Sequence, residues 1–164
     1  MLDKQGMYAL LKDKGVAYEA VEHAPVYTIE GMEEEHVPHM ELVMKNLFLR
    51  NSNKSQYYLV VMPGHKKLDL KKLRTRIGST NLSFGKEDAL MDLLGLERGA
   101  VTPLGLLNNE ACNVTAVFDE KLPGTTIGIH PLENTATVFM AFDDLRRLVK
   151  EHGNPIVMCN LDGM

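Results

Sequence analysis

The sequence predicts an α+β fold in which a mixed, mostly antiparallel β-sheet is flanked by helices. Short apolar runs bounded by turn-forming residues recur along the chain, and segments with helical spacing separate them without the regular alternation of a doubly wound sheet. The chain has 164 residues, 45% of them hydrophobic, which is enough for a substantial core. We therefore expect a single domain over residues 1–164.

The N-terminal region is predicted to hold two helices and one strand. Asp3 can cap a first helix that stops at Gly15, because aspartate accepts from free amide groups and glycine adopts the left-handed C-terminal position. A short strand is expected at 18–21. Thr28 can cap a second short helix that reaches residues 33–35.

A β-hairpin is the clearest local prediction. The apolar run 45–50 is typical of a central strand, turn formers occupy 51–55, and a second apolar run returns over 56–62 before the break at 63–64. Lys45 stands at the mouth of the first strand. A buried ammonium is costly unless an anion meets it, although a lysine near a strand end can also extend to water.

A basic stretch follows the hairpin. Asp69 can cap a helix that continues to Ile77 with apolar residues on its inner side. Positive charge collects on and just before this helix, at Lys66, Lys67, Lys71, Lys72, Arg74 and Arg76. Such a run is usually a solvated helix face, but it also suits contacts with a phosphate backbone.

The second half of the chain is predicted to contain several short strands and two helices. The predicted strands cover 80–84, 114–118 (with alternating burial), 126–130, 135–140 and, at a sheet edge, 155–158. The predicted helices cover 86–94 and, opened by Asp143, a segment that ends near Gly153. A loop fixed by glycine and proline spans 97–105.

Composition and motif content exclude several functions. The net charge of −4 argues against broad nucleic-acid binding, so no DNA partner is expected. The N-terminus is polar, so we expect no signal peptide, and no apolar run is long enough to predict a membrane partner. Cys112 and Cys159 lack the spacing of metal ligands. Two such thiols are typical of a reduced, cytoplasmic protein. His36 and His39 flank a proline and lack a third ligand, so we expect no metal. The sequence contains no nucleotide-binding motif, so we expect no cofactor.

Three separated stretches together resemble one family. They are Lys-Asn-Leu-Phe-Leu-Arg at 45–50, Gly-Ala-Val-Thr-Pro at 99–103, and His-Pro-Leu-Glu-Asn-Thr-Ala-Thr at 130–137. They are similar to the YbaK/aminoacyl-tRNA-synthetase-associated domain family, which includes the editing domain inserted in bacterial prolyl-tRNA synthetases. The similarity spans about residues 7–148.

The resemblance implies a partly barrel-like sheet and an enzyme that hydrolyses the ester joining an amino acid to the 3′-terminal adenosine of a tRNA. The free-standing branch that deacylates alanyl-tRNA(Pro) is the most similar. The implied partners are therefore aminoacylated tRNA(Pro) and prolyl-tRNA synthetase. There are two alternatives. The enzyme could act on cysteinyl- or seryl-tRNA, or the domain could be a non-catalytic module that binds tRNA or a synthetase.

The resemblance also implies site residues. The expected catalytic residues are Lys45, Gly99 and His130. Lys45 would supply a cation for the ester oxygens or the terminal phosphate, and Gly99 would allow close approach of the backbone to the ester. His130 would bound the pocket or form a hydrogen bond with a water. The expected substrate-binding residues are Asn46, Ala100, Val101, Thr102 and Pro103. The six basic residues 66–76 would contact the acceptor stem. A turn-side hydrogen bond for Asn46 and a purely structural role for His130 remain alternatives.

Overall fold

The computed structural model describes all 164 residues and contains five α-helices and eight strands. The helices are α1 (Lys4–Asp13), α2 (Ile29–Glu34), α3 (Leu70–Ile77), α4 (Glu87–Leu94) and α5 (Phe142–His152). The strands are β1 (Tyr18–Glu22), β2 (Met44–Arg50), β3 (Tyr57–Pro63), β4 (Ser83–Phe84), β5 (Val114–Asp119), β6 (Thr126–Ile129), β7 (Ala136–Ala141) and β8 (Ile156–Cys159). The predicted α+β class is confirmed.

The strands form two sheets. One has three antiparallel strands in the order β1-β7-β6, and the other has five strands in the order β4-β2-β3-β5-β8. In the larger sheet β2 pairs antiparallel with β3 and β4, whereas β3–β5 and β5–β8 are parallel. An isolated bridge between Val43 and Gly128 joins the sheets, which do not close into a barrel. This bridge brings the start of β2 beside β6.

The strand predicted to be central, β2, lies near an edge of the larger sheet. Its outer neighbour β4 is only two residues long, shorter than the predicted strand 80–84, and pairs only with Leu49 and Arg50. The first half of β2, which carries Lys45 and Asn46, therefore has one open side. The centre of the sheet is β3.

Apolar layers cover both faces of the larger sheet. Alternate residues of β3 enter different clusters: Leu59 and Val61 belong to the main core, and Val60 and Met62 belong to the cluster under α3. Because β5 is also covered on both faces, all six of its residues are buried, and the predicted alternation there is wrong. The hairpin of β2 and β3 is therefore held between two packed apolar layers.

The helix caps explain most of the helix boundaries. Asp3, Thr28 and Asp69 accept hydrogen bonds from first-turn amides of α1, α2 and α3, as the sequence predicts. The last helix differs, because it begins at Phe142 and places Asp143 inside its first turn. The predicted loop 97–105 also runs into an unpredicted 3₁₀ segment, Pro103–Asn108. None of the helices is long and apolar enough to cross a bilayer.

Candidate active site

A cleft of about 490 Å³ opens where the two sheets meet. Val43 and Gly128, the two residues that bridge the sheets, both line it. The three stretches singled out by the sequence also meet there, contributing Lys45, Asn46, Gly99, Val101 and His130. Residues more than eighty positions apart in the chain therefore share one cavity.

Lys45 supplies the cation of this cleft. Its side-chain nitrogen donates a 2.6 Å hydrogen bond to the main-chain oxygen of Lys66, and no carboxylate lies within ion-pair distance of it. An ammonium has three donors, so two remain for a ligand. Lys45 is half-buried, which makes its charge more effective than that of a fully solvated lysine.

The side chain of Lys66 fixes the segment to which Lys45 is bound. Its ammonium lies 2.6 Å from Asp119 Oδ2 and 2.6 Å from Asp162 Oδ1. Burial disfavours the charged form, but the hydrogen bonds and charges of the two carboxylates outweigh it and raise the pKa of Lys66. Asp119 is fully buried at the end of β5, so the position of the Lys66 main chain is tied to an inner strand of the larger sheet.

Asn46 carries an unpaired polar atom. Its Oδ1 is buried and has no hydrogen-bond partner, so the turn-side hydrogen bond considered from the sequence does not form. A buried acceptor left unpaired costs about 1–3 kcal/mol, and such groups in folded proteins call for an explanation. A donor on a bound ligand would satisfy this oxygen.

His130 has a defined tautomer. Its Nδ1 lies 2.9 Å from the main-chain oxygen of Ala136, and because a carbonyl only accepts, Nδ1 carries the hydrogen. Burial lowers the pKa of His130, and the nearby His23, whose ring centroid is 6.3 Å away, lowers it further. The imidazole is therefore neutral at neutral pH, with Nε2 as an acceptor.

His23 is a neighbour that the sequence did not single out as a site residue. Its Nδ1 lies 2.9 Å from the main-chain oxygen of Ala24, so its Nε2 accepts from the hydroxyl of Thr137 at 3.0 Å. Thr137 is fully buried and lines the cleft. The proximity of His23 to Thr137 depends on the pairing of β1 with β7, which no local pattern discloses.

Gly99 has a backbone conformation that favours glycine, with φ at +88°. A Cβ atom at this position would lie 2.5 Å from Cδ1 of Tyr27. The close approach expected at Gly99 is thus made, in this structure, by the ring of Tyr27. That ring is 73% exposed and also lines the cleft.

Comparison with known proteins identifies the family. Residues 23–148 match the family model of the aminoacyl-tRNA editing domain. The chain belongs to this family. Membership confirms the resemblance drawn from the three stretches and, with it, the expected class of enzyme, an aminoacyl-tRNA deacylase.

Individual relatives of this editing domain agree with the assignment. The prolyl-tRNA editing protein ProX of Acetoanaerobium sticklandii is 45% identical over 152 residues, covering 92% of this chain and 93% of that protein. The prolyl-tRNA synthetase associated domain-containing protein 1 of Danio rerio is 35% identical, covering 93% and 84% respectively. A crystal structure provisionally described as a trans-editing enzyme for prolyl tRNA synthetase superposes with a TM-score of 0.71 at 19% identity, covering 98% of both chains. The last likeness supports the fold.

Three of the expected substrate-binding residues of the editing domain do not line the cleft. Ala100, Thr102 and Pro103 are buried, and of the stretch 99–103 only Gly99 and Val101 reach the cavity. The hydroxyl of Thr102 accepts from the amide of Leu104 and caps the 3₁₀ segment that Pro103 begins. These residues shape the loop. Sequence alone could not distinguish this structural role from contact with substrate.

The six basic residues of the stretch 66–76 are also not equivalent. Lys66 is held in its ion pairs and is only 18% exposed, Lys72 donates to the main-chain oxygen of Gly163, and Arg76 donates to the main-chain oxygens of Asn160 and Asp162. Half of the basic residues thus fasten the C-terminal segment and the loop before α3. The side chains of Lys67, Lys71 and Arg74 make no hydrogen bond or ion pair within the protein.

Proposed function

We propose that this editing domain acts in trans as a hydrolase that removes a wrongly attached amino acid from tRNA(Pro), with alanyl-tRNA(Pro) as its main substrate. The observation that carries the proposal is the convergence of Lys45, Asn46 and His130 on one cleft. The 45% identity with a prolyl-tRNA editing protein over nearly the whole chain supports tRNA(Pro) as the tRNA.

The proposed reaction needs no nucleophile from the protein. A water oxygen attacks the ester carbonyl carbon, the bond from that carbon to the ribose 3′ oxygen breaks, and the 3′ oxygen takes up a proton as the free amino acid leaves. An aminoacyl ester is already activated, so orientation and charge stabilisation are sufficient contributions. The absence of a serine or cysteine nucleophile among the residues that line the cleft suits such a mechanism.

Lys45 is the proposed stabiliser of developing negative charge. In the tetrahedral intermediate the former carbonyl oxygen carries this charge, and a donor held in place beforehand stabilises it without reorganisation. The hydrogen bond to Lys66 orients the ammonium and leaves two donors for the oxyanion or the terminal phosphate. The lack of a carboxylate beside Lys45 keeps its charge available to substrate.

His130 and Asn46 are the proposed acceptors. The neutral imidazole of His130 offers Nε2 to the attacking water or to the free ribose hydroxyl, and can take a proton from either. The unpaired Oδ1 of Asn46 would accept from the ribose hydroxyl. Both groups accept without carrying a negative charge, so neither would oppose the charge that develops on the ester.

The apolar part of the cleft is the proposed amino-acid pocket. Met32, Val43 and Ile129 supply aliphatic surface beside Gly128. Removing one methylene from a ligand changes binding by only about 1–3 kcal/mol, so a site built for proline admits alanine. A small pocket can instead reject the larger proline ring by steric exclusion, which a separate editing enzyme can exploit.

The deciding experiment is a substrate panel. The protein is incubated with alanyl-, cysteinyl-, seryl- and prolyl-tRNA(Pro), and loss of the labelled amino acid is followed in parallel with the Lys45→Ala variant. We expect alanine to be released and proline to be retained. Preference for cysteine or serine would change the assigned amino acid, and tight binding without turnover of any substrate would favour the non-catalytic module.

Prolyl-tRNA synthetase is the proposed protein partner. The relative from Danio rerio is named for a prolyl-tRNA synthetase associated domain and is 35% identical to this chain. A synthetase that passes its product directly to the editing domain would limit the loss of mischarged tRNA to solution. Adding the synthetase to the substrate panel tests this: we expect faster clearance of alanyl-tRNA(Pro), and an unchanged rate would count against direct transfer.

A further inference from the structure

A second cleft, of about 820 Å³, adjoins the first. Asn46, Leu47 and Val101 line both, so the two cavities are continuous across the first half of β2. This is the part of the strand that β4 leaves uncovered, because β4 pairs only with Leu49 and Arg50. Truncation of that edge strand therefore creates the second cleft.

An exposed aromatic ring stands in the second cleft. Phe84 lines it and is 60% exposed, which is unusual for phenylalanine on a protein that also offers a large apolar core. The backbone beside it is rigid: Gly85 packs against the ring of Phe48 so closely that a Cβ atom would not fit, and Phe48 in turn stacks on Tyr57 with ring centroids 5.3 Å apart. Phe84 is therefore an open aromatic surface on a constrained stretch of backbone.

The charges around the second cleft are mixed. Lys86 and Arg98 line it together with Glu87 and Asp88, and Arg98 already pairs with Glu87 at 3.5 Å. These charges sum to zero, so the cleft is not built for a polyanion such as a run of phosphates. A flat, uncharged aromatic ligand suits it better, since such a ligand can stack on Phe84 without displacing the ion pair.

We propose that the second cleft binds the 3′-terminal adenosine of the tRNA, an assignment that rests on the function proposed above. The adenine stacks on Phe84, the ribose lies against Asn46, and the ester projects into the first cleft. Asn46 stands where the two cavities meet, and its unpaired Oδ1 is an acceptor for the free ribose hydroxyl. Terminal, unpaired bases are commonly recognised by stacking on exposed aromatic side chains.

Tyr27 is the competing aromatic surface. It is also exposed and lines the first cleft, but one side of its ring is taken up by Gly99. A base stacked on Tyr27 would occupy the cavity that the amino acid needs. The second cleft gives the base a place of its own, which favours Phe84.

The test uses a stable analogue of the aminoacyl end, 3′-alanylamido-3′-deoxyadenosine, in which an amide replaces the ester. Its dissociation constant is measured by calorimetry for the wild type and for Phe84→Ala, Phe84→Tyr and Tyr27→Ala. Met91→Ala serves as the matched control, because Met91 is also an exposed apolar residue but lies outside both clefts. Phe84→Ala should weaken binding about tenfold or more, as expected for loss of one stacked base, while Phe84→Tyr and Met91→Ala bind as the wild type does.

A second analogue that lacks the base separates stacking from other effects. It should bind the wild type weakly, and Phe84→Ala should weaken it no further. Three results would each overturn the subsite. They are equal binding of the adenosine analogue by the wild type and Phe84→Ala, a loss of binding confined to Tyr27→Ala, and no binding to the wild type. Hydrolysis of intact alanyl-tRNA(Pro) by the wild type is measured separately, so a failed subsite with full hydrolysis leaves the proposed function standing, and absent hydrolysis removes that function.

Discussion

The ammonium nitrogen of Lys45 lies 2.6 Å from the main-chain oxygen of Lys66, and the ammonium of Lys66 lies 2.6 Å from the fully buried carboxylate of Asp119. Two lysines are thereby linked in series: one side chain holds the peptide group that orients the other. The series begins at the end of β5, an inner strand of the larger sheet. A cation held in this way is oriented before substrate arrives, which favours catalysis by charge stabilisation.

Replacing Lys45 by alanine should abolish deacylation while leaving the fold intact. The change removes the only ammonium among the residues that line the first cleft, but it cuts no ion pair. Rates are measured in single turnover with alanyl-tRNA(Pro), and folding is followed by circular dichroism and thermal unfolding. Lys12→Ala, on the exposed side of α1, is the control and should retain full activity. Full activity in Lys45→Ala would remove Lys45 from the mechanism.

Weakening the anchor of Lys66 should lower kcat more than it raises KM. Asp119→Asn leaves a largely buried ammonium with one exposed partner, so we expect it to lower the free energy of unfolding by up to about 3 kcal/mol and to let Lys45 move. The control is Asp162→Asn, which removes the exposed partner, 45% accessible, and should have a smaller effect on both quantities. Steady-state kinetics below the melting temperature test this, and loss of stability with unchanged kcat would show that the ion pair serves only the fold.

Much of the fold could be predicted because its determinants are local. Short patterns of residue type predict the hairpin of β2 and β3, the caps Asp3, Thr28 and Asp69, and the stop at Gly15. Errors arose where tertiary context decides. The burial of all of β5 depends on layers supplied by distant segments, and the brevity of β4 depends on where it meets β2.

The candidate site was predictable in part of its membership, since Ala100, Thr102 and Pro103 do not line the cleft, and its contacts were not predictable. The family resemblance implies Lys45, Gly99 and His130 as site residues, and all three line one cleft. The bond from Lys45 to a main-chain oxygen and the unpaired atom of Asn46 leave no trace in residue type or spacing. They arise from sheet register and loop position, which are properties of the whole fold.

Introducing a methyl group at Gly99 should impair editing beyond the strain of its backbone. In Gly99→Ala the residue must hold φ near +88° and displace the ring of Tyr27. The control is Gly15→Ala, where φ is +70° but nothing lies within 4 Å, so only the backbone strain of about 1–2 kcal/mol applies. Gly99→Ala should lose at least as much stability as Gly15→Ala, and only Gly99→Ala should lose activity. Equal activity in the two would show that the position of Tyr27 does not matter.

The acid limb of the pH profile of kcat/KM should lie below pH 6.5. Burial lowers the pKa of His130 from its ordinary value of 6.5, so the reactive neutral form persists to lower pH than in an exposed histidine. The same shift means that the unfolded chain binds more protons at this position, so stability is complete above pH 6.5 and falls as the pH drops through the lowered pKa. His130→Gln should remove this limb and reduce the rate about a hundredfold. The exposed His65→Gln is the control, and an unchanged limb in His130→Gln would assign it to another group.

Charge reversal on the outer face of α3 should weaken tRNA binding without altering the fold. Lys71 is exposed and its side chain makes no hydrogen bond or ion pair, so Lys71→Glu removes a candidate phosphate contact and nothing else. Each lost phosphate contact should also reduce the slope of log affinity against log salt concentration, by about 0.7–0.9. Lys72→Glu is a less clean change, because Lys72 also holds the main chain of Gly163, and the pair together should flatten the salt dependence further. Affinity is measured by filter binding of tRNA(Pro) at several salt concentrations, with Lys12→Glu on α1 as the control. If Lys71→Glu and Lys12→Glu show the same affinity and slope as the wild type, the basic face of α3 is a solvated surface, and the acceptor stem must be held elsewhere.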